Sequence, residues 1–162
     1  MNNRQQVLSF LDTLKIPYQL YQHLAAYTMQ DIEDFGVPKH GHVCKNLFLR
    51  DGPGKRHFLV SVCGDKHVDL KQLGQVLHTR LSFASEERLD KHLHLKKGEV
   101  TPLAALLNKD NKVEVFLDAD LAKFEKVGVH PADNTATVFL SFTNLEKAVR
   151  ATGNHVTVVS IS

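Results

Sequence analysis

A chain of 162 residues is long enough to bury one proper core and too short for two comfortable domains, so residues 1–162 are expected to form a single domain. Hydrophobic residues make up 43% and charged residues 23%, ordinary for a globular protein, and the longest apolar runs fall far short of the roughly 20 residues that a membrane span needs. A net charge of +2 excludes the strongly basic balance of a protein that wraps long nucleic acid, while leaving room for a short contact with a nucleic-acid end.

The opening MNNRQQVLSF lacks the basic-then-apolar pattern of a secretory signal. Cys44 and Cys63 both lie in apolar, strand-like runs, which suits two buried thiols in a reducing compartment. A cytoplasmic location with no membrane association is the expectation.

In chain order, RQQVLSFLDTLK (residues 4–15) sets Val7, Leu8, Leu11 and Leu14 at helical spacing, and Pro17 ends that helix. YQLYQH alternates as a brief strand. Thr28 followed by Asp31 resembles a capping box opening a short helix through Phe35, closed by Gly36 and Pro38. CKNLFLRD and RHFLVSV flank GPGK and read as a hairpin. Asp69 caps a helix through Leu77, RLSFAS is a short strand, and Ser85 starts a helix with Leu89 and Leu93 on one side. KKGEVTPLAALLN is a glycine-hinged loop leading into small apolar residues. KVEVFLD, KVGVHP and TATVFLS read as strands, SFTNLEKAVRATG as a helix closed by Gly153, and HVTVVSI as a last strand. The sum is an α+β fold of six or so strands with about five short helices: a curled, mixed, mostly antiparallel sheet with helices packed on it.

Most familiar chemistries find no support. There is no GxSxG elbow, no GxGxxG, no phosphate-binding loop and no kinase motif. His40, His42 and Cys44 would share a face if all three lay in a strand, but no fourth ligand is spaced for a zinc site, so neither a metal nor a cofactor is expected. Cys63, before a Gly64-Asp65 turn, has only His67 nearby as a partner for nucleophilic work.

Three stretches stand apart. KNLF places Lys45 and Asn46 at the mouth of a buried strand. GEVTP is a loop held between Gly98 and Pro102. HPADNTAT, residues 130–137, is a polar turn between two apolar strands. Singly, each is also ordinary loop chemistry: Pro131 and Asn134 suit turns, and Thr135 and Thr137 suit the strand that follows.

Taken together, KNLFLRD, RLSFASEERL, GEVTPLAALL and HPADNTATV, in that order, resemble the free-standing prolyl-tRNA editing proteins (ProX), relatives of the editing insertion domain of bacterial prolyl-tRNA synthetase. The likeness runs from the YQHLAAYTMQD stretch to the terminal HVTVVSI. It implies the α+β editing-domain fold and a hydrolase that cleaves the ester of mischarged tRNA, with the branch acting on alanyl-tRNA(Pro) the most similar. It also implies roles residue by residue. Lys45 matches the essential lysine, which grips the terminal phosphate or ribose or steadies negative charge. Asn46 hydrogen-bonds near the amino acid or adenosine. Gly98, Glu99, Val100, Thr101 and Pro102 match a loop that lines the pocket. His130 faces the aminoacyl group, and Asn134 braces the same turn. The partner implied is the acceptor end of mischarged tRNA(Pro), with docking on prolyl-tRNA synthetase left open. A deacylase for Ser-, Thr- or Cys-charged tRNA, or a non-catalytic module binding a tRNA end or a protein on the same fold, are the alternatives. Some relatives have a hydroxyl residue directly before the lysine, where this chain has Cys44.

Overall fold

The computed structural model describes all residues 1–162. The element order is α1 (Asn3–Thr13), β1 (Gln19–Gln22), α2 (Met29–Asp34), β2 (His42–Asp51), β3 (His57–Cys63), α3 (Leu70–Leu77), β4 (Leu81–Phe83), α4 (Glu86–Leu93), β5 (Glu114–Asp118), β6 (Val127–Val129), β7 (Ala136–Leu140), α5 (Phe142–Ala151) and β8 (Val156–Val159), with 3-10 turns at Val37–His40, Pro102–Leu107 and Ala119–Lys123. Each helix start follows from local chemistry. Asn2 accepts from the Gln5 amide at 2.8 Å while the Gln5 side chain accepts from the Asn2 amide at 3.0 Å, a capping box that starts α1 one residue earlier than the apolar spacing alone implies. Asp69, Ser85 and Ser141 start α3, α4 and α5 with single caps, each side chain accepting one first-turn amide, from Lys71, Arg88 and Asn144.

The strands number eight, above the six or so of the overall expectation, and each lies in a stretch read as a strand, including the three-residue strands at Leu81–Phe83 and Val127–Val129, which pair into the sheet. The sheet runs β1-β7-β6-β2-β3-β5-β8, with β4 added to β2. Four of its strand pairings are antiparallel and three, β2 with β6, β3 with β5 and β5 with β8, are parallel. The mixed, mostly antiparallel α+β architecture is therefore present. No helix is long and apolar enough to cross a membrane.

Both faces of the central strands are covered, which is why HFLVSVC reads as a continuous apolar run rather than an alternating one. Cys44, Phe48, Leu59 and Cys63 point into the larger core, shared with α1, α4, α5 and the Pro102–Leu107 turn. Leu49, Phe58, Val60 and Val62 point the other way, onto Leu73 and Leu77 of α3.

One topological detail creates the site. Along one edge, β2 pairs with β3 from Cys44 to Arg50. Its other edge is shared: β6 pairs only at His42 and Val43, and β4 only from Leu49 to Asp51. Between them, residues 44–48 have no strand beside them on that edge. The gap is where Lys45 and Asn46 sit.

Candidate active site

A cleft of about 240 Å³ opens at that gap. Val43, Cys44, Lys45 and Asn46 of β2 form its floor, and Ala26, Tyr27, Thr28, Met29 and Ile32 form one wall. Gly98 and Val100 form another, and His130 closes it. The volume lies below the roughly 300–1,000 Å³ of common small-molecule sites, and the cleft is open to solvent on one side.

Each wall is held by identifiable bonds. Thr28 Oγ1 accepts from the Asp31 amide at 3.0 Å, and the Asp31 carboxylate accepts in return from the Tyr27 and Thr28 amides. This reciprocal cap pins the start of α2 against the cleft. Asn134, buried, donates from Nδ2 to the Ala26 carbonyl at 3.1 Å while its own carbonyl accepts from the Ala26 amide at 3.0 Å. The His130–Asn134 turn is thereby sewn to the α2 wall. Gly98 lies at φ +88°, and a Cβ there would come within 2.8 Å of the Tyr27 ring and 3.1 Å of Asn134 Nδ2. Only glycine both adopts that backbone and lets the loop approach so closely.

The polar groups facing the cleft are in defined states. The half-buried Lys45 ammonium donates to the main-chain carbonyl of Lys66, in the turn after β3. That bond directs the side chain along the strand end and leaves two further N–H groups. Ser61 Oγ donates to Asn46 Oδ1 at 2.6 Å, which leaves the Asn46 amide nitrogen as its donor end. His130 Nδ1 lies 2.8 Å from the Ala136 carbonyl. A carbonyl only accepts, so Nδ1 carries the proton and Nε2 keeps its lone pair. Burial lowers the His130 pKa from its ordinary value, outweighing the Ala136 bond, and the nearby His23 lowers it further, so the ring is neutral at pH 7. The Cys44 thiol is pushed far up by burial, then by the neighbouring Cys63 and by Asp118; Cys63 is pushed up to about 11, again chiefly by burial. Both are protonated at neutral pH and are poor nucleophiles.

Of the residues singled out from the sequence, Lys45, Asn46, Gly98, Val100 and His130 converge on the cleft. Glu99, Thr101, Pro102 and Asn134 do not line it. Gly98 sits in a turn closed by the Glu99 amide on the Lys96 carbonyl at 3.1 Å, and the residues beyond it are held elsewhere. Glu99 accepts from the Lys96 amide at 2.7 Å, Thr101 is fully buried with its hydroxyl capping the Pro102–Leu107 turn, and Pro102 is buried as the first residue of that turn. Asn134 acts one layer behind, on Ala26. The wall from Ala26 to Ile32 was not singled out. Its one local signal is the Thr28–Asp31 cap, which marks a helix start without saying what the helix faces.

The His40, His42 and Cys44 trio is not assembled, because β2 begins only at His42. His40 lies in the preceding 3-10 turn, stacked on Tyr21 with ring centroids 3.4 Å apart. Metal-ligand types converge instead at His42, Cys63 and Asp65, whose ligand atoms lie within 4.8 Å of one another. There His42 Nε2 accepts from the Gly64 amide at 2.9 Å and its ring stacks on Phe124, so its lone pair is engaged in holding the turn.

Comparison with known proteins adds a family. Residues 23–148 match the aminoacyl-tRNA editing domain. The chain is 45% identical over 155 residues to the prolyl-tRNA editing protein ProX of Acetoanaerobium sticklandii, covering 95% of this chain and 94% of that one. It is 32% identical to the prolyl-tRNA synthetase associated domain-containing protein 1 of Mus musculus, covering 93% and 92%. An 80-residue stretch is 34% identical to part of the proline–tRNA ligase of Chlamydia trachomatis, covering 47% of this chain and 14% of the ligase. Among solved structures, a candidate trans-editing enzyme for prolyl tRNA synthetase superposes with a TM-score of 0.74 at 18% identity, covering all of this chain and 99% of the other. Hypothetical protein APE2540 superposes with a TM-score of 0.76 at 18% identity, covering 96% and 98%. At that identity these two speak for the fold.

Proposed function

The chain belongs to the aminoacyl-tRNA editing domain family, and from that premise we propose that it is an aminoacyl-tRNA deacylase acting in trans on mischarged tRNA(Pro), with alanyl-tRNA(Pro) as its preferred substrate. All of residues 1–162 serve as one editing domain, working in the cytoplasm on the acceptor end of the tRNA. The observation that carries the reading is that Lys45, the close-approach backbone at Gly98 and the neutral His130 all line one small cleft.

The need for such an enzyme is physical. A synthetase pocket shaped for proline loses only about 1–3 kcal/mol when it takes a smaller apolar side chain, too little to reject alanine, so a second and smaller sieve must remove the product. Ile32, Val43 and Val100 give the cleft an apolar lining that suits a small apolar acyl group, which supports this reading.

Hydrolysis here asks for placement more than for acid–base machinery. An aminoacyl ester is already activated, and a ribose hydroxyl adjoins it. Water attacks the carbonyl carbon, a tetrahedral oxyanion forms, and the bond to the ribose oxygen breaks. The water proton passes to the departing sugar oxygen by way of the neighbouring hydroxyl, leaving free amino acid and free tRNA. Lys45, with two N–H groups beyond its Lys66 bond, anchors the terminal ribose or phosphate and offers charge to the oxyanion. Asn46, on the opposite face of the strand from Lys45, supplies its amide nitrogen as a separate donor at the cleft floor. The His130 Nε2 lone pair receives an N–H of the substrate's α-ammonium or orients the water. The Gly98 amide, on the cleft wall, is the donor this reading assigns to the ester carbonyl. Cys44 and Cys63, held protonated, take no nucleophilic part.

Docking on prolyl-tRNA synthetase is part of the proposal, supported by the related stretch within a proline–tRNA ligase. The test is a deacylation panel of Ala-, Ser-, Thr-, Cys- and Pro-charged tRNA(Pro) offered to purified protein. Fast cleavage of the alanyl ester with the prolyl ester spared is expected. Equal cleavage of the prolyl ester would remove the sieve, preference for a seryl, threonyl or cysteinyl ester would reassign the substrate, and no cleavage of any would leave a binding module.

A further inference from the structure

Lys45 is held by an unusual partner. Its ammonium donates to a main-chain carbonyl, that of Lys66, in a turn reached 21 residues later. A lysine stem has four rotatable bonds, so what immobilises that carbonyl also decides where the Lys45 ammonium rests.

The turn is pinned at several points. The Lys66 amide donates to the Cys63 carbonyl at 3.0 Å, and the Gly64 amide donates to His42 Nε2 at 2.9 Å. A Cβ on Gly64 would collide with the Val43 carbonyl, so the turn lies directly against β2. The firmest anchor is the Lys66 side chain. Its ammonium donates to Asp118 Oδ2 at 2.6 Å, Asp120 Oδ2 at 2.8 Å and the Ile161 carbonyl at 2.5 Å, using all three N–H groups. Asp118 is fully buried, and its other oxygen accepts from the Asp120 amide at 3.1 Å and the Ile161 amide at 3.4 Å. β5, the Ala119–Lys123 turn and the segment after β8 thus meet on one ammonium.

We propose that Lys66 is a positioning residue for the deacylation: its side chain, clamped by Asp118, Asp120 and Ile161, fixes the carbonyl that holds the Lys45 ammonium at the cleft. This rests on the deacylase reading, and nothing in it requires Lys66 to touch the substrate. Removal of the clamp misplaces the ammonium by a fraction of a side-chain length, and a displacement near 1 Å costs on the order of 10- to 100-fold in rate.

The test uses the full chain with Lys66→Met, Lys66→Arg and Asp120→Asn. Each is assayed on alanyl-tRNA(Pro), and each is followed by NMR of lysine labelled with carbon-13 at Cε, the Lys45 signal being assigned by its loss in Lys45→Met. In Lys66→Met, kcat is expected to fall about 10-fold or more with KM moved less than about threefold, and the Lys45 signal to collapse to the position of an exposed lysine. Lys66→Arg should restore most of both. Asp120→Asn, at the half-exposed rim of the network, should give an intermediate loss of kcat and decides the matter if Lys66→Met does not fold, since it leaves the buried Lys66–Asp118 pair intact. A folded Lys66→Met with wild-type kcat and an unmoved Lys45 signal overturns the proposal, as does an Asp120→Asn indistinguishable from wild type when Lys66→Met is unfolded. If the wild-type protein cleaves no aminoacyl-tRNA, the deacylase reading fails, and the NMR arm still reports separately whether Lys66 holds Lys45.

Discussion

The two ends of β2 are built from the same kind of sequence and do opposite work. At the far end, Leu49 and Arg50 are paired on both edges, by β3 and by β4, and Leu49 is fully buried. There Asp51 receives the Lys55 and Arg56 amides at 2.8 and 3.0 Å, closing the hairpin, and His57 lies buried with Arg88 donating to it at 3.1 Å. At the near end, β6 departs after Val43, one edge is left open, and a lysine and an asparagine occupy the gap. The lesson is that a polar residue in a buried strand is satisfied by backbone where the sheet is complete, and is free to meet a ligand where the sheet is interrupted.

Substitutions at the two ends should separate activity from stability. Lys45→Ala should lower kcat/KM for alanyl-tRNA(Pro) by about 10²–10³-fold, the scale of removing one donor to a developing oxyanion. Its melting temperature should stay near that of the wild type, because Lys45 makes one side-chain bond and is half-buried. A melting temperature that falls in step with activity would place Lys45 among the structural residues. Leu49→Ala should do the reverse, costing about 2–5 kcal/mol in urea denaturation while the folded fraction keeps its kcat. A large loss of kcat in that folded fraction would mean that the ends are coupled.

Acid sharpens the contrast next. Burial, then His92 and Arg88, lower the His57 pKa to about 4. Its neutral ring stabilises the fold fully above the unfolded value near 6.5, and that contribution fades as pH falls from there toward 4, by up to about 3 kcal/mol. Denaturant midpoints measured from pH 7 to pH 4 should fall, and His57→Gln should flatten the slope. At the open end His130 is also lowered, first by burial. The rate should therefore hold below pH 6.5 and decline only as pH drops through the reduced His130 value. A decline centred at or above 6.5 would show that the His130 pKa is not lowered, and a rate that never declines in acid would show that the neutral ring is not what the reaction uses.

The smallest expected effect is at the hairpin. Burial raises the Asp51 pKa, but the amides of Arg56 and Lys55 outweigh it and leave it below the ordinary value. Asp51→Asn should cost about 1 kcal/mol at pH 7, and the difference from wild type should vanish below the ordinary carboxylate range, where Asp51 is itself protonated. An equal cost at every pH would mean that the charge contributes nothing there.

By itself, the chain's order of residues determined the elements and much of the site. Caps at Thr28, Asp69 and Ser85, the GPG turn and the continuous apolar run of β3 are local matters, decided by backbone hydrogen bonding and burial within a few residues, so they were legible. Lys45, Gly98 and His130 stood out because a cation at the mouth of a buried strand, a glycine hinge and a polar turn between apolar strands are locally costly, and because together they match a family. Only the tertiary structure decided which of them meet. That β6 lets go of β2 after Val43, that Glu99 and Thr101 turn away while Val100 faces in, that the Ala26–Ile32 wall closes on Gly98, and that Lys66 grips Lys45 from 21 residues away are all consequences of strand pairing and packing at long range. No spacing along the chain encodes them, since each depends on where other elements come to rest.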